Sequence, residues 1–143
     1  MRPLPPLTEV SRLTLPWPPS LNRYYRHVAI RGQPRTLISA DGREYRERVK
    51  RVVGPVATLR GRLAVCVLAC PPDRRARDLD GMHKALLDAL THAGVWADDS
   101  QIDALVTLRG ERVQGGSVVV RIEPMQADAL AMFAREMGQE RAA

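Results

Sequence analysis

Residues 63–69 form a continuous apolar run, bounded on one side by Gly61 and on the other by Pro71. A run of this length between two residues that interrupt regular structure is typical of a strand buried on both faces. We therefore predict a central buried strand here, around which the other elements must pack. With 143 residues the chain has enough length for one domain with its own core, and little room for a second.

Three elements are predicted before this strand. Residues 12–15 alternate polar and apolar side chains, which indicates a short strand that Pro16 stops. Residues 36–38 are a candidate for another short strand. Ser39 can cap a helix that runs to about Val53, and Gly54 then ends it.

Further elements follow the strand. Apolar residues recur at helical spacing from 79 to 93, and residues 102–108 and 117–122 are rich in β-forming side chains. Because Gly115 and Gly116 lie between these last two runs, we predict that they form a hairpin. A final helix is predicted at 127–137.

This mixture of strands and helices, without a repeated βαβ unit, predicts the α+β class: a single-domain mixed sheet packed against helices. We expect a flexible arm at residues 1–11, the folded domain at 12–124 and a helical extension at 125–143. Cys66 and Cys70 have no accompanying histidine cluster, so we expect free thiols rather than a zinc site. No apolar stretch is long enough to span a membrane, and we expect a soluble, cytoplasmic protein.

The charges are unevenly distributed along the chain. Residues 1–77 carry 16 Arg or Lys against 5 Asp or Glu, a balance of +11, whereas residues 78–143 carry 6 against 11, a balance of −5. All of the 22 cationic residues except Lys50 and Lys84 are arginine. A GC-rich genome explains that bias as well as function does, but arginine also pairs with phosphate at two points. The segregation favours a phosphate-binding surface beside an acidic pocket.

The acidic side chains that follow the central strand are candidates for metal binding. Asp78 and Asp80 come first, Lys84 lies one helical turn later, and Asp98 and Asp99 follow the predicted helix. Carboxylate oxygens suit Mg²⁺, which is usually bound through one or two carboxylates plus substrate phosphates. A helix cap explains Asp78 equally well, and a surface ion pair explains Asp80 with Lys84.

The predicted helix places the two acidic segments far apart. A helix of about 15 residues is about 22 Å long, so only pairing within the sheet could bring Asp99 beside Asp80. The D-x-D spacing alone is weak evidence, since glycosyl and nucleotidyl transferases share it.

Three segments carry a more specific signal: residues 15–27 (LPWPPSLNRYYRH), 72–80 (PDRRARDLD) and 94–101 (GVWADDSQ). In this order and spacing they closely resemble the RusA family of Holliday-junction resolvases. The likeness runs from about Arg12 to about Glu123. The N-terminal arm and the terminal helix lie outside it.

This resemblance implies a homodimeric, Mg²⁺-dependent endonuclease that cuts four-way DNA junctions symmetrically, with Mn²⁺ as a substitute ion and without a nucleotide cofactor. The implied metal ligands are Asp78, Asp80 and Asp99, and Lys84 would offset charge on the reacting phosphate. Independently, two opposed cuts require two sites, which a two-fold homodimer supplies. In one departure, Gly81 stands where the family usually has asparagine.

We expect the DNA to be held by side chains flanking these carboxylates. Arginines would contact the phosphate backbone, and a tyrosine of the pair Tyr24 and Tyr25 could stack on an unpaired base, although core packing explains one of the two rings. The candidates are Arg74, Arg75, Arg77, Arg23, Arg26 and Tyr24.

Two other functions stay open on the sequence alone. One is a protein that binds branched DNA without cutting it, because Gly81 has impaired the site. The other is a metal-dependent phosphotransferase such as a nucleotidyl transferase. The chain has no phosphate-cradling G-x-x-x-x-G-K-S/T loop, which argues against the use of a nucleoside triphosphate.

Overall fold

The computed structural model describes residues 11–126. These residues form six strands and three helices: β1 (Ser11–Pro16), α1 (Leu21–Tyr24), β2 (Tyr25–Ile30), β3 (Gln33–Ile38), α2 (Ala40–Val53), β4 (Leu63–Cys70), α3 (His83–His92), β5 (Ile102–Arg109) and β6 (Ser117–Pro124). Two short 3₁₀ turns, Asp80–Met82 and Asp99–Gln101, precede α3 and β5. The mixed α+β class predicted from the sequence is confirmed.

The sheet has the order β1-β6-β4-β5. Strand β4 lies inside it, antiparallel to β6 and parallel to β5. Its side chains alternate between the two faces, and Leu63, Val65 and Val67 are almost completely buried on one of them. The predicted central strand is therefore confirmed.

Helices α2 and α3 supply the other half of the core. The Ser39 side chain accepts a hydrogen bond from the Gly42 amide (3.0 Å), which caps α2 as predicted, and Gly54 ends the helix with a positive φ of 66°. Tyr45 and Val49 on α2 join one hydrophobic cluster with Leu86 and Leu90 on α3 and with the buried faces of β4 and β6. Each such side chain contributes roughly 1.5–3 kcal/mol through burial.

The predicted hairpin between the last two strands is wrong. Strands β5 and β6 do not pair with each other, because β4 lies between them and bonds to both. The connection from β5 crosses the end of β4: the Gly110 amide donates to the Ala69 carbonyl (2.7 Å), and the Val113 amide to the Pro71 carbonyl (3.0 Å). Gln114 and Gly115 do form a turn, but within this crossing.

Strands β2 and β3 form a separate hairpin that the sequence only partly indicated at residues 36–38. Arg31 and Gly32 between them both have positive φ (52° and 74°), as a two-residue hairpin turn requires. Most side chains of this hairpin are exposed. Its residues therefore lack the apolar alternation that marks a half-buried strand.

The predicted helix at 79–93 is shorter in the structure, because its first turn is the 3₁₀ turn Asp80–Met82. The predicted arm, apart from Ser11, and the predicted helix at 127–137 lie outside the described residues. Cys66 and Cys70 are free thiols, the second buried. Across residues 11–126, the helices are too short or too polar to span a lipid bilayer.

Candidate active site

The segment that carries Asp78 and Asp80 is the loop from β4 to α3, at the carboxyl end of β4. Within it Asp73 acts as a clamp. Its Oδ1 accepts hydrogen bonds from the Arg77 guanidinium (2.7 Å) and the Arg75 amide (2.9 Å), and these bonds hold the pKa of Asp73 well below its usual range. Asp73 was not singled out in the sequence, where it is one more acidic residue in a basic segment.

Arg77 is committed to this loop. Besides pairing with Asp73, its guanidinium lies 5.8 Å from the centre of the Trp17 ring. The Arg109 side chain, at the end of β5, donates to the Arg77 carbonyl (2.7 Å). In this structure the Arg77 guanidinium fixes the loop, and the contact with the DNA backbone predicted from the sequence stays a prediction.

Asp78 and Asp80 are both exposed, and neither carboxylate has a hydrogen-bond or ion-pair partner within residues 11–126. Their position is fixed by the backbone, since the Gly81 amide donates to the Asp78 carbonyl (3.3 Å) as the 3₁₀ turn begins. Two fixed carboxylates without protein partners fit the hard-cation chemistry predicted for them, because Mg²⁺ takes one or two carboxylates and leaves its other positions to water and phosphate.

Both carboxylates line a cavity of about 880 Å³. Its walls come from the segment after β1, the first half of α2 and the β4–α3 loop, so the first two predicted motif segments meet here. The wall residues include Trp17, Pro18, Asn22, Arg23, Glu44, Arg48, Arg75, Asp78, Asp80 and Gly81. Asp99 is not among its lining residues.

Lys84 on α3 is held by a network that spans three helices. Its ammonium bonds Asp88 (3.0 Å), whose other carboxylate oxygen accepts from the Tyr24 hydroxyl (3.1 Å). The Tyr24 hydroxyl in turn accepts from the Arg46 guanidinium (3.0 Å). The bond to Asp88 raises the pKa of Lys84, so the ammonium stays charged at neutral pH. Asp88 is thus a salt-bridge partner of Lys84.

Tyr24 cannot stack on a base in this structure, because it is completely buried. Burial also raises the pKa of its hydroxyl to about 12. Gly42 allows helix α2 to pack closely against Tyr24, because a Cβ at this position would lie only 2.8 Å from the Tyr24 carbonyl oxygen, which is too close. Of the two neighbouring rings, only that of Tyr25 is partly exposed.

The remaining predicted DNA contacts are surface arginines. Arg23 pairs with Asp41 (2.8 Å), and Arg75 pairs with Asp73 (3.2 Å), but both side chains are largely exposed. Arg26 and Arg74 are exposed and have no carboxylate partner within residues 11–126. These four can still contact phosphate.

Asp98 and Asp99 lie at the amino end of β5, within electrostatic reach of Lys84. Asp98 caps the 3₁₀ turn by accepting from the Ser100 amide (3.1 Å), and the Gln101 side chain accepts from the Asp98 amide (3.2 Å). Hydrogen bonding from the Ser100 side chain, and then from its amide, lowers the pKa of Asp98. The Asp99 carboxylate has no hydrogen-bond or ion-pair partner in the described chain, although it lies near enough to Lys84 to raise the pKa of that ammonium. Of the two aspartates, Asp99 is therefore the one free to take a ligand.

Sheet pairing does not bring Asp99 beside Asp80. Ile102 pairs with Leu63, the first residue of β4, whereas Arg109 lies beside the Asp78 loop. From Ile102 to Arg109 the strand spans about 23 Å. Within residues 11–126, no three His, Cys, Asp or Glu side chains are grouped so that they could hold a metal ion. One chain thus brings Asp78 and Asp80 together and leaves Asp99 apart.

A free carboxylate pair that lines a cavity bordered by exposed arginines is typical of a nuclease site, and comparison with known proteins gives the same class. The family model described as Endodeoxyribonuclease RusA matches residues 16–123. The chain belongs to the RusA family of endodeoxyribonucleases.

Several curated relatives cover most of the chain. A protein of Shigella sonnei (strain Ss046) named Crossover junction endodeoxyribonuclease RusA is 45% identical over 117 residues, which cover 79% of this chain and 93% of the relative. Its namesake in Escherichia coli (strain K12) is 44% identical over the same shares. A crossover junction endodeoxyribonuclease of Enterobacteria phage 82 is 42% identical over 122 residues, again 79% and 93% of the two chains.

Proposed function

We propose that this protein is a Mg²⁺-dependent endonuclease that resolves four-way DNA junctions by paired, symmetric nicks, as a homodimer. The observation that carries the proposal is that Asp78 and Asp80 are fixed, exposed and free of protein partners in a chain whose relatives are named crossover junction endodeoxyribonucleases. A carboxylate with only a capping role would have a backbone amide to accept from, as Asp98 has.

Asp78 and Asp80 would hold the ion, and Asp99 stays a predicted third ligand that one chain alone does not bring to them. When bound, Mg²⁺ supplies Lewis-acid stabilisation of charge on the phosphate. Lys84 keeps its proton because Asp88 faces it, so it presents a fixed positive charge to the oxygen that leaves. Arg26 and Arg74 bind flanking phosphates and add affinity without reading sequence.

The homodimer follows from the reaction. Two opposed strands must be cut, and one chain carries the Asp78 and Asp80 pair once. A two-fold axis repeats that set on the opposite strand. The sheet offers an apolar surface for the contact: Leu68, Val106 and Leu108 are 37%, 51% and 53% exposed.

The test is cleavage of a synthetic four-way junction against a linear duplex of the same sequence, with Mg²⁺ or with chelator. We expect paired nicks in the junction only, and only with Mg²⁺. Asp80→Asn should abolish the nicks while junction binding in chelator persists. Nicking of the linear duplex at an equal rate would contradict the junction specificity.

Gly81 gives a second candidate some support, namely a protein that binds branched DNA and cuts it poorly. A Cβ at Gly81 would meet nothing within 4 Å, so the position has room for the side chain that it lacks. The Gly81→Asn variant should fold normally and, under this second reading, cut faster than the wild type. If the wild type already cuts at a rate that Gly81→Asn does not improve, the second candidate is excluded.

A further inference from the structure

The hairpin of β2 and β3 carries a surface to which the proposed reaction gives no role beyond Arg26. In an antiparallel pair, residues directly opposite each other lie on the same face. Three such pairs, each joining an apolar to a polar or charged side chain, share the face that we call the ribbon face: Arg26 with Leu37, Val28 with Arg35, and Ile30 with Gln33. All of them except Val28 are exposed, with Ile30 at 48% and Leu37 at 45%. The ribbon face is therefore half apolar and open to a partner.

The charge of the hairpin has one sign. Residues 25–38 contain three arginines and neither aspartate nor glutamate. The guanidinium groups of Arg26, Arg31 and Arg35 have no carboxylate partner within residues 11–126, whereas that of Arg23, just before the hairpin, pairs with Asp41 (2.8 Å). Two copies of this surface would repel each other. Charge complementarity therefore favours a polyanion that also offers apolar groups.

The shape of the hairpin fits one such polyanion. Its strands are about 4.8 Å apart and about 20 Å long, and a two-residue turn at Arg31 and Gly32 closes it. The major groove of B-form DNA is about 12 Å wide and admits a two-stranded ribbon. Phosphates border this groove on both sides, and base edges, including the methyl group of thymine, form its floor.

We propose that the β2–β3 hairpin lies in the major groove of an arm of the branched DNA, with its ribbon face on the base edges. Arg31 and Arg35 contact phosphates at the border of the groove, and Ile30 and Leu37 contact the bases. The proposal rests on the function proposed above only in taking branched DNA as the substrate. It adds an element that holds one arm of the junction with side chains outside the acidic site.

The base of the hairpin connects this element to the reacting groups. Tyr24 precedes β2 and Ser39 follows β3, and the Ser39 amide donates to the Tyr24 carbonyl (2.9 Å), which holds the two ends together. The Tyr24 hydroxyl bonds Asp88, which in turn holds Lys84. Helix α1, immediately before the hairpin, lines the cavity of the carboxylate pair. The arm held by the hairpin is therefore next to the phosphate that reacts.

The first experiment measures the affinity of the full chain for a four-way junction in chelator, at several salt concentrations, by fluorescence anisotropy. Arg31→Gln with Arg35→Gln should weaken binding by about 10-fold or more and lower the slope of log affinity against log salt by about two. Ile30→Thr with Leu37→Thr should weaken binding by about 10-fold at an unchanged slope, because it removes apolar contacts and no charge. Threonine suits a strand, and these side chains are exposed, so the melting temperatures should stay unchanged.

The matched control removes two charges far from the hairpin. Lys50→Gln with Arg51→Gln changes the last turn of α2, about 16 Å along the helix from Ser39. Its affinity and salt slope should stay close to those of the wild type. If the arginine pair of the hairpin loses no more affinity than this control, the proposal is overturned.

Dimethyl sulfate footprinting on the same junction tests the groove, because it methylates guanine at N7 in the major groove and adenine at N3 in the minor groove. The wild type should protect guanine N7 atoms in an arm, and Ile30→Thr with Leu37→Thr should lose that protection. Protection of adenine N3 alone would overturn the major-groove placement. A wild type that gives the guanine footprint but never nicks the junction defeats the proposed function and supports the hairpin contact. A wild type that nicks the junction while every hairpin variant binds normally does the reverse.

Discussion

At each end of the β4–β5 pair, one aspartate fixes the local backbone and the predicted ligands have no partner within the described residues. Different contacts hold the fixing aspartate at the two ends. At the carboxyl end Asp73 is clamped by Arg77 and Arg75, and Asp78 and Asp80 are left free. At the amino end Asp98 caps a turn, and Asp99 is left free. Ion pairs hold Asp73 at the first end, whereas a capping box with the neutral side chain of Gln101 holds Asp98 at the second, where an ion pair joins Arg62 to Asp103 instead.

This difference shows how the chain leaves the carboxylates of Asp78, Asp80 and Asp99 free to bind a ligand. An aspartate next to a free arginine would be neutralised by it, so the arginine-rich loop supplies Asp73 as a partner for Arg77. At the amino end Asp98 has no arginine partner of its own within the described residues; Arg62 instead donates to the Ser100 carbonyl (2.7 Å) and pairs with Asp103. Removing Arg77 should therefore disturb the clamped aspartate directly, whereas the cap at Asp98 depends on hydrogen bonds from neutral groups.

The largest expected effect is on cleavage, and it compares Asp80, which has no partner in the described chain, with Asp73, which Arg77 and Arg75 hold. Asp80→Asn should lower junction cleavage by about 1,000-fold, because it removes a ligand for the ion that stabilises the reacting phosphate. Its melting temperature should not fall, since Asp80 has no partner to lose. The matched variant Asp73→Asn should lower the melting temperature. Equal losses of stability would remove the distinction between the two kinds of aspartate.

A smaller effect is expected at Asp88, which positions Lys84. Asp88→Asn should lower the cleavage rate by about 10- to 100-fold at saturating enzyme, because the ammonium loses its fixed position. Junction affinity in chelator should change little. Charge-preserving Asp88→Glu should restore part of the rate, which a purely structural role in the Tyr24 network would not explain.

Variants of Arg77 and Arg74 distinguish an arginine that fixes the loop from one that contacts DNA. Arg77→Ala should lower cleavage by about 10-fold or more with a loss of thermal stability, because the loop loses its clamp. Exposed Arg74→Ala should leave stability unchanged and reduce the slope of log affinity against log salt by about one. Should Arg77→Ala instead alter only that slope, its guanidinium would be a phosphate contact after all.

The smallest effect is the acid sensitivity of the clamp. Because Arg77 lowers the folded pKa of Asp73 below its ordinary 3.8, the stabilisation is present above that value and is lost as pH falls towards the folded pKa. The stability difference between wild type and Asp73→Asn should therefore shrink between pH 5 and pH 2 in thermal melts. A difference that stays constant across this range would contradict the ion-pair account.

Local signals in the sequence predicted the elements that depend on local physics. The Ser39 cap, the Gly54 stop and the apolar run of β4 each act within a few residues, and each was found where predicted. The partner of β5 was predicted wrongly, because two strands with a glycine-rich connection can pair either with each other or on both sides of a third. The hairpin of β2 and β3 lacks a buried face, so periodicity could not indicate its first strand.

The candidate site also shows that local sequence signals do not predict long-range contacts. Motif resemblance predicted Asp78 and Asp80 as metal ligands, and the fold places both on one cavity. The clamp of Arg77, by contrast, depends on Asp73 and Arg109 meeting in three dimensions. The distance of Asp99 from Asp80 follows from the parallel pairing of β4 with β5. That pairing is a long-range property that the predicted hairpin obscured.

The most direct test of the account is a Mn²⁺ titration of four intact proteins: wild type, Asp80→Asn, Asp99→Asn and Asp98→Asn. We expect tight binding in the wild type and in Asp98→Asn, and its loss in both Asp80→Asn and Asp99→Asn, although the last two residues lie at opposite ends of the sheet. Tight binding that survives Asp99→Asn unchanged would contradict a single metal centre built from all three carboxylates.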